Sequence, residues 1–253
     1  MILDVEFEEM NSEFEADFGE VIVIKPGGKT YSDGLAEGEV VGRDKEWNEF
    51  WDAYQSVGNR KTYDHAFCYL NSETFKPKYA IKPTSAQYML QYTDISKIPD
   101  NVVLDLSEAT SVVGCFLNGK FEYLGVIDCS SSQNISQLLR LNYVLKTVEK
   151  LILPPKQTTC NLAFDACPAL ENIVIEGVFN QSVDFKSSAK LTKDSTVSIM
   201  NSLSTEVSGK TASFSKNAVN NAFETATGLA DGVSSEEWLA LVAAKSNWTI
   251  SLG

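Results

Sequence analysis

A short apolar pattern recurs along the middle of the chain with a period of about 23 residues. Its fullest copy is LAFDACPALENIVIE, residues 162–176. There Leu170, Ile173 and Ile175 follow an L-x-x-I-x-I pattern typical of a short strand, whereas Phe164 and Cys167 have the three-residue spacing of a tight helical turn. Neither half can bury its apolar face alone. The sequence therefore predicts copies that stack on one another.

Further copies keep the same phase. Leu124, Val148 and Leu170 are separated by 24 and 22 positions, and Ile81 and Leu104 continue the series upstream. A period in the low twenties with one short strand per copy is typical of leucine-rich repeats. We therefore expect an α/β fold, a leucine-rich-repeat solenoid of about five coils of roughly 23 residues, spanning residues 59–190.

The segment AFDACPALENIVI resembles the A-F-x-x-C-x-x-L-x-x-I-x-I core of BspA-type leucine-rich repeats. The preceding FWDAYQSVGNRKTYDHAF and the closing EEWLALVAAKSNWTISL resemble the leader and ending of proteins encoded by phages and prophages of gut anaerobes. This resemblance implies a structural protein of the virion, at the tail, baseplate or fibre, that is made in the cytoplasm of the host bacterium. It also implies contact with other virion proteins through an N-terminal arm.

Charge is distributed very unevenly. The formal net charge is −13, and residues 1–55 hold 15 of the acidic side chains against 4 basic ones. Such a surface repels phosphate backbones, which argues against a nucleic-acid partner. No apolar run approaches the ~18 residues of a membrane span, and the acidic start MILDVEFEEM is unlike a signal peptide. We expect neither secretion nor membrane insertion.

The residue types needed for metal or cofactor chemistry are scarce. Cys115, Cys129 and Cys167 fall on interior repeat positions among five cysteines and are expected to be buried free thiols. With one histidine, His65, and no C-x-x-C pair, we expect no metal site and no cofactor. His65 is interpreted as a structural residue because a catalytic base must satisfy strict geometry.

The N-terminal region divides into a β-rich acidic anchoring arm, residues 1–30, and a helical segment, residues 31–58. Gly34, Gly38 and Gly42 are four apart, a spacing that suits a close helix contact in a homo-oligomer or, equally, a linker. An aromatic stripe follows at the spacing of an amphipathic helix and would seal the first coil: Trp47, Phe50, Trp51 and Tyr54.

Residues 191–253 are expected to form a C-terminal α/β cap. Thr192 is a candidate N-cap, and Ser234 and Glu237 have capping-box spacing before a second helix. KTASFS and NWTISL are predicted as strands, with Trp238 and Trp248 buried between the elements.

The predicted strands also define a candidate binding strip of outward residues: Lys82, Val103, Asp105, Val126, Asp128, Lys150, Ile152, Asn172 and Val174. On neighbouring strands about 4.8 Å apart, Asp105 and Asp128 would have the carboxylate spacing of a retaining glycosidase, although both also suit solvated outward positions.

The expected function is therefore a non-enzymatic phage virion protein that displays a leucine-rich-repeat domain, with a host surface protein or glycan as its partner. The alternatives are a tail-associated glycan hydrolase that uses Asp105 and Asp128, and a bacterial surface adhesin.

Overall fold

A computed structural model of the chain describes residues 62–68, 70, 75, 77, 80–223 and 235–253. The strands are β1 (Tyr123–Asp128), β2 (Thr147–Ile152), β3 (Asn172–Glu176), β4 (Val183–Phe185), β5 (Lys210–Phe214) and β6 (Trp248–Leu252). The helices are α1 (Lys193–Ser202), α2 (Lys216–Phe223) and α3 (Glu236–Ala243). The strands form two parallel sheets of three, β1-β2-β3 (sheet 1) and β4-β5-β6 (sheet 2).

Strands of sheet 1 pair with segments one repeat period away. Tyr123 lies opposite Thr147, and Thr147 lies opposite Asn172. The register shifts between Val148 and Leu151, where the buried residues are three apart instead of two. The extra residue leaves both Glu149 and Lys150 outside the core, as in a β-bulge.

On the opposite side, successive turns rather than helices are stacked. The amides of Gln137, Leu139 and Leu141 donate to carbonyls 24 residues later, and the preceding turns pair in the same way. Each turn places residues in the left-handed region, which costs a non-glycine residue about 1 kcal/mol and is offset by these hydrogen bonds. The left-handed residues occur four apart in the pairs Tyr88 and Tyr92, Gly114 and Asn118, Gln137 and Leu141, and Leu162 and Ala166.

The prediction of a leucine-rich-repeat solenoid is wrong. The described residues form two separate three-stranded sheets and three short helices, instead of one continuous sheet with a strand in each of about five coils. Upstream of β1 the predicted strands at Ile81 and Leu104 make only an isolated bridge with each other. The Phe164 to Cys167 segment is also not helical, because Leu162 and Ala166 have positive φ angles of 56° and 55°.

Sheet 1 ends at β3 because a helix takes the place of the next strand. The amides of Ile173 and Ile175 donate to the hydroxyls of Ser195 and Ser198 on α1, each at 2.9 Å. These side chains satisfy the edge of β3 that a fourth strand would otherwise occupy. Sheet 2 then starts anew at β4, which explains why one regular repeat does not extend through the chain.

One apolar core nevertheless runs from Tyr63 to Trp248. Its later part is a line of aromatic rings: Phe164 stacks on Phe185 with a centroid distance of 4.4 Å, Phe185 contacts Phe214, and Phe214 meets the edge of Trp238. This line joins the last stacked turn to sheet 2 and α3. The core thereby spans both sheets without a break.

Two helices of residues 191–253, α1 and α3, begin at hydroxyl caps. Thr192 accepts a hydrogen bond from the Ser195 amide at the start of α1, as predicted. The N-cap of α3 is Ser235 and not Ser234, which lies outside the described residues. Trp238 and Trp248 are buried, and this prediction is confirmed.

Several predictions lie outside the described residues. They are the arm at 1–30, the helical segment at 31–58 with Gly34, Gly38 and Gly42, and therefore the assembly role given to those glycines. Within the described part of the chain, none of the helices has the length and apolar character needed to cross a bilayer.

Candidate binding surface

The outer face of sheet 1 carries exposed apolar side chains in line across its strands. Val126 lies opposite Lys150, and Val174 lies opposite the Glu149–Lys150 bulge. Val126 is 52% exposed and Val174 is 51% exposed, although their strand neighbours Ile127 and Ile173 are buried. We call Val126, Lys150 and Val174 the central row. An apolar pair held on a sheet presents a rigid surface to a partner.

Charged and polar pairs lie within and beside the central row. The Lys150 ammonium lies 2.9 Å from a carboxylate oxygen of Glu176, and the Tyr123 hydroxyl donates to Glu149 at 2.6 Å. The hydrogen bond to Glu149 raises the pKa of Tyr123. Nearby, Lys146 pairs with Glu122 at 2.8 Å; this bond lowers the pKa of the carboxyl and raises that of the ammonium. The face therefore carries two exposed valines on its outer strands, with charged pairs between and beside them.

The structure aligns the predicted strip differently from the sequence. Ile152 lies opposite Asp128 in β1 and opposite Glu176 in β3, and Glu176 is not a residue of the predicted strip. Asn172 lies at the start of β3, where its side-chain oxygen accepts from the Thr192 hydroxyl at 3.4 Å. Val103 is 55% exposed but belongs to the segment before sheet 1.

The carboxylates of Asp105 and Asp128 both accept hydrogen bonds from residues two positions later in the sequence. The Ser107 amide and hydroxyl donate to Asp105, and the Ser130 amide donates to Asp128 at 2.9 Å. Lys82 adds an ion pair to Asp105 at 3.2 Å. The Ser107 hydrogen bonds, reinforced by Lys82, lower the pKa of Asp105. This shift does not suit the acid of a glycosidase, which must hold a proton for the leaving group, but it is compatible with the ionised nucleophile.

These two carboxylates also lie in segments that do not pair. The bridge partner of Leu104 is Ile81, and the segment before sheet 1 meets β1 through a bridge from Lys97 to Tyr123. The expected alignment of Asp105 beside Asp128 on adjacent paired strands is therefore not formed among the described residues.

A crevice of about 270 Å³ opens where this pairing is interrupted. Leu104, Phe116 and Ile127 line its apolar floor, and Lys97 and Tyr123 lie at its rim. The Lys97 ammonium lies 5.6 Å from the Tyr123 ring centroid and 2.6 Å from Asp100. Sequence reasoning missed this feature. The signal available was the additional stretch SKIPDNV, which delays the return of the chain to the sheet.

His65 lies in a structural environment. Its ring stacks on Tyr88 with a centroid distance of 5.1 Å, and burial lowers its pKa although the Asp64 carboxylate opposes this shift. The Cys68 sulfur lies 3.8 Å from the His65 Nδ1, a proximity that the sequence reasoning did not identify. Burial raises the pKa of Cys68 to about 12, and its thiol donates to the Tyr88 carbonyl. A nucleophilic cysteine requires a lowered pKa, so this pair lacks an activated thiolate.

The remaining thiols are packing groups. Cys115, Cys129 and Cys167 are free and buried, which confirms the prediction made for them. The Cys167 thiol donates to the Leu139 carbonyl, and burial raises its pKa to about 12. In the part of the chain that the structure describes, histidine, cysteine and acidic side chains do not gather into a metal-binding group.

No family model, curated protein or solved structure matches the chain.

Proposed function

We propose that this chain is a non-enzymatic structural protein of a phage virion and that the central row of sheet 1 is its binding surface. The virion assignment is supported by the resemblance of the leader and closing segments to phage-encoded and prophage-encoded proteins. The binding role is supported by one observation above all, the pair of half-exposed valines aligned across three strands.

The composition of this surface fits protein recognition. Interfaces commonly have an apolar centre that becomes desolvated and a polar rim that stays wet. Val126 and Val174 supply the apolar contacts, the Lys150 stem lies between them with its ammonium paired to Glu176, and the Tyr123 hydrogen bond to Glu149 lies beside them. Because the valines are fixed on paired strands, little conformational entropy is lost when they are covered. The proposed partner is a host surface protein or glycan, or a neighbouring virion protein.

An enzymatic role receives less support from the same geometry. The carboxylate of Asp105 is held in its ionised form by Ser107 and Lys82, and Asp128 accepts a bond from its own turn. Both side chains therefore stabilise the ends of their segments in our proposal.

The test has two parts. Mass spectrometry of gradient-purified particles from the producing strain should detect the chain in the virion. The labelled full chain should then bind intact host cells or purified particles, and the double variant Val126→Glu, Val174→Glu should weaken this binding by about 10-fold or more, as expected when the apolar centre of an interface is charged.

The matched control is Val144→Glu, which places the same charge at a valine that is 43% exposed outside the three strands. It should leave binding unchanged. Circular dichroism should show that all variants remain folded. Particles that lack the chain would contradict the virion assignment, and equal binding by the double variant and the control would contradict the binding surface.

A further inference from the structure

The last strand of sheet 2, β6, has one edge without a described partner. Its inner edge pairs with β5 from Trp248 to Leu252. The Gly253 amide donates to the Phe214 carbonyl, which fixes which residues face β5. Since successive residues direct their backbone groups to opposite edges, Ile250 and Leu252 present their N–H and C=O groups to the outer edge. No described residue donates to or accepts from them there.

The apolar layer beneath β6 is also incompletely covered. Ile250 lies opposite Ala212 and Leu252 lies opposite Phe214, so both side chains point to the core side of the sheet. Ala212 and Phe214 are fully buried, but Ile250 is only partly buried and Leu252 is 38% exposed. Among the described residues, the core is thus incompletely covered at the end where β6 lies. By contrast, the edge of β3 is closed by Ser195 and Ser198.

We infer that β6 pairs with β6 of a second copy of this chain, antiparallel and about a two-fold axis perpendicular to the sheet. In the register centred on Ile250, the Ile250 residues of the two copies exchange both backbone hydrogen bonds. Each Leu252 amide donates to the Trp248 carbonyl of the second copy. The two sheets become one, and the uncovered Ile250 and Leu252 side chains share a single apolar layer.

The strand itself favours a copy of this chain as its partner. The sequence WTISL contains no charged residue, although the whole chain carries −13, so two copies meet at this edge without direct like-charge contacts. In the proposed register Trp248 lies opposite Leu252 on the inner face, and Thr249 lies opposite Ser251 on the outer face. Both are favourable cross-strand pairs. The strand is therefore complementary to itself.

This inference goes beyond the proposed function, since a monomer could still use the central row for binding. Sedimentation equilibrium of the full chain should show a reversible dimer. Association should be stronger at about 0.5 M than at about 0.05 M NaCl, because salt screens the repulsion between two chains of net charge −13.

The decisive variant is Ile250→Pro. Its lost N–H faces the outer edge, so the bonds to β5 are kept, and proline is tolerated at such edge positions. The symmetric dimer loses two hydrogen bonds, which should raise its dissociation constant by about 30-fold. Ile250→Val is the matched control and should leave the dissociation constant within about 3-fold of the original, because it keeps the N–H and most of the apolar side chain.

A second variant, Leu252→Lys, places like charges at the shared apolar layer and should also produce a monomer. Val144→Lys makes the same change at an exposed valine outside both sheets and should leave the dimer intact. A monomeric original chain would overturn the inference, and so would an oligomer that survives Ile250→Pro or Leu252→Lys, or that is lost in Val144→Lys. Folding of each variant is checked by its thermal unfolding.

Discussion

Removing the Ser195 hydroxyl tests whether α1 replaces a strand at the edge of sheet 1. In the folded chain this hydroxyl accepts from the Ile173 amide at 2.9 Å and donates to the Glu171 carbonyl at 3.0 Å. Ser195 is 3% exposed and Ile173 is 1% exposed, so water does not readily replace the lost oxygen. Ser195→Ala therefore leaves the Ile173 amide without a partner, whereas the Glu171 carbonyl keeps its hydrogen bond from the Thr192 amide.

The magnitude follows from this one amide. An unsatisfied backbone group costs about 1 to 3 kcal/mol where it is buried. We expect the free energy of unfolding to fall by about 1 to 3 kcal/mol, which corresponds to a decrease in Tm of about 3 to 10 °C for a chain of this size. Urea unfolding followed by circular dichroism measures the change, with the slope against urea expected to stay constant.

Hydrogen exchange localises the effect. In Ser195→Ala the Ile173 amide should exchange faster while the Ile175 amide, bonded to Ser198, keeps its protection. Ser208→Ala is the matched control, because Ser208 is exposed and makes no hydrogen bond to another described residue; it should change the free energy by less than about 0.5 kcal/mol. A Ser195→Ala chain as stable as this control would refute the claim that hydroxyls close the edge of β3.

Two further outcomes follow from the side chains that hold the turns. Asp105→Asn should reduce the loss of stability in acid. The folded-state pKa of Asp105 lies below the ordinary value of 3.8, so the stability that its carboxylate contributes is present above about pH 4 and is lost as the pH falls through the folded-state pKa. Acid unfolding curves of the original chain and the variant measure the difference. Asn142→Ala should lower the free energy of unfolding by about 2 to 4 kcal/mol, because the Asn142 side-chain amide donates to the carbonyls of Phe116 and Leu139. Asn142→Cys should cost less, since the thiol keeps one donor and the substitution removes the unpaired Asn142 oxygen. Urea unfolding of both variants gives the comparison, and equal losses would contradict it.

Part of the architecture could be predicted because local chemistry determines it. The apolar spacing placed Leu124 and Val148 at equivalent buried strand positions, and their segments pair in parallel. The same phase was wrong for Leu170, which is buried before β3, and Ile173 lies opposite Val148 instead. The hydroxyl of Thr192 and the polar first turn after it identified the start of α1. In both cases the determining groups lie within a few residues of one another, so the sequence carries the signal directly.

The fold class could not be obtained in this way. A period of about 23 residues says which segments can stack, but it does not say where a sheet must stop. That was decided by Ser195 and Ser198, whose hydroxyls reach β3 only after α1 has packed against it. Likewise, the left-handed turns at Leu162 and Ala166 depend on hydrogen bonds to neighbouring copies and not on local helix propensity.

The candidate surface was likewise determined partly by the sequence and partly by the tertiary structure. The sequence determined that Val126, Lys150 and Val174 face outward, because each immediately precedes a residue that must be buried. Only the tertiary structure decided that these three share one row, since the bulge at Glu149 and Lys150 changes the register between β2 and β3. It also separated Asp105 from the paired strands, because alignment across strands depends on backbone hydrogen bonds between distant segments that no local pattern records.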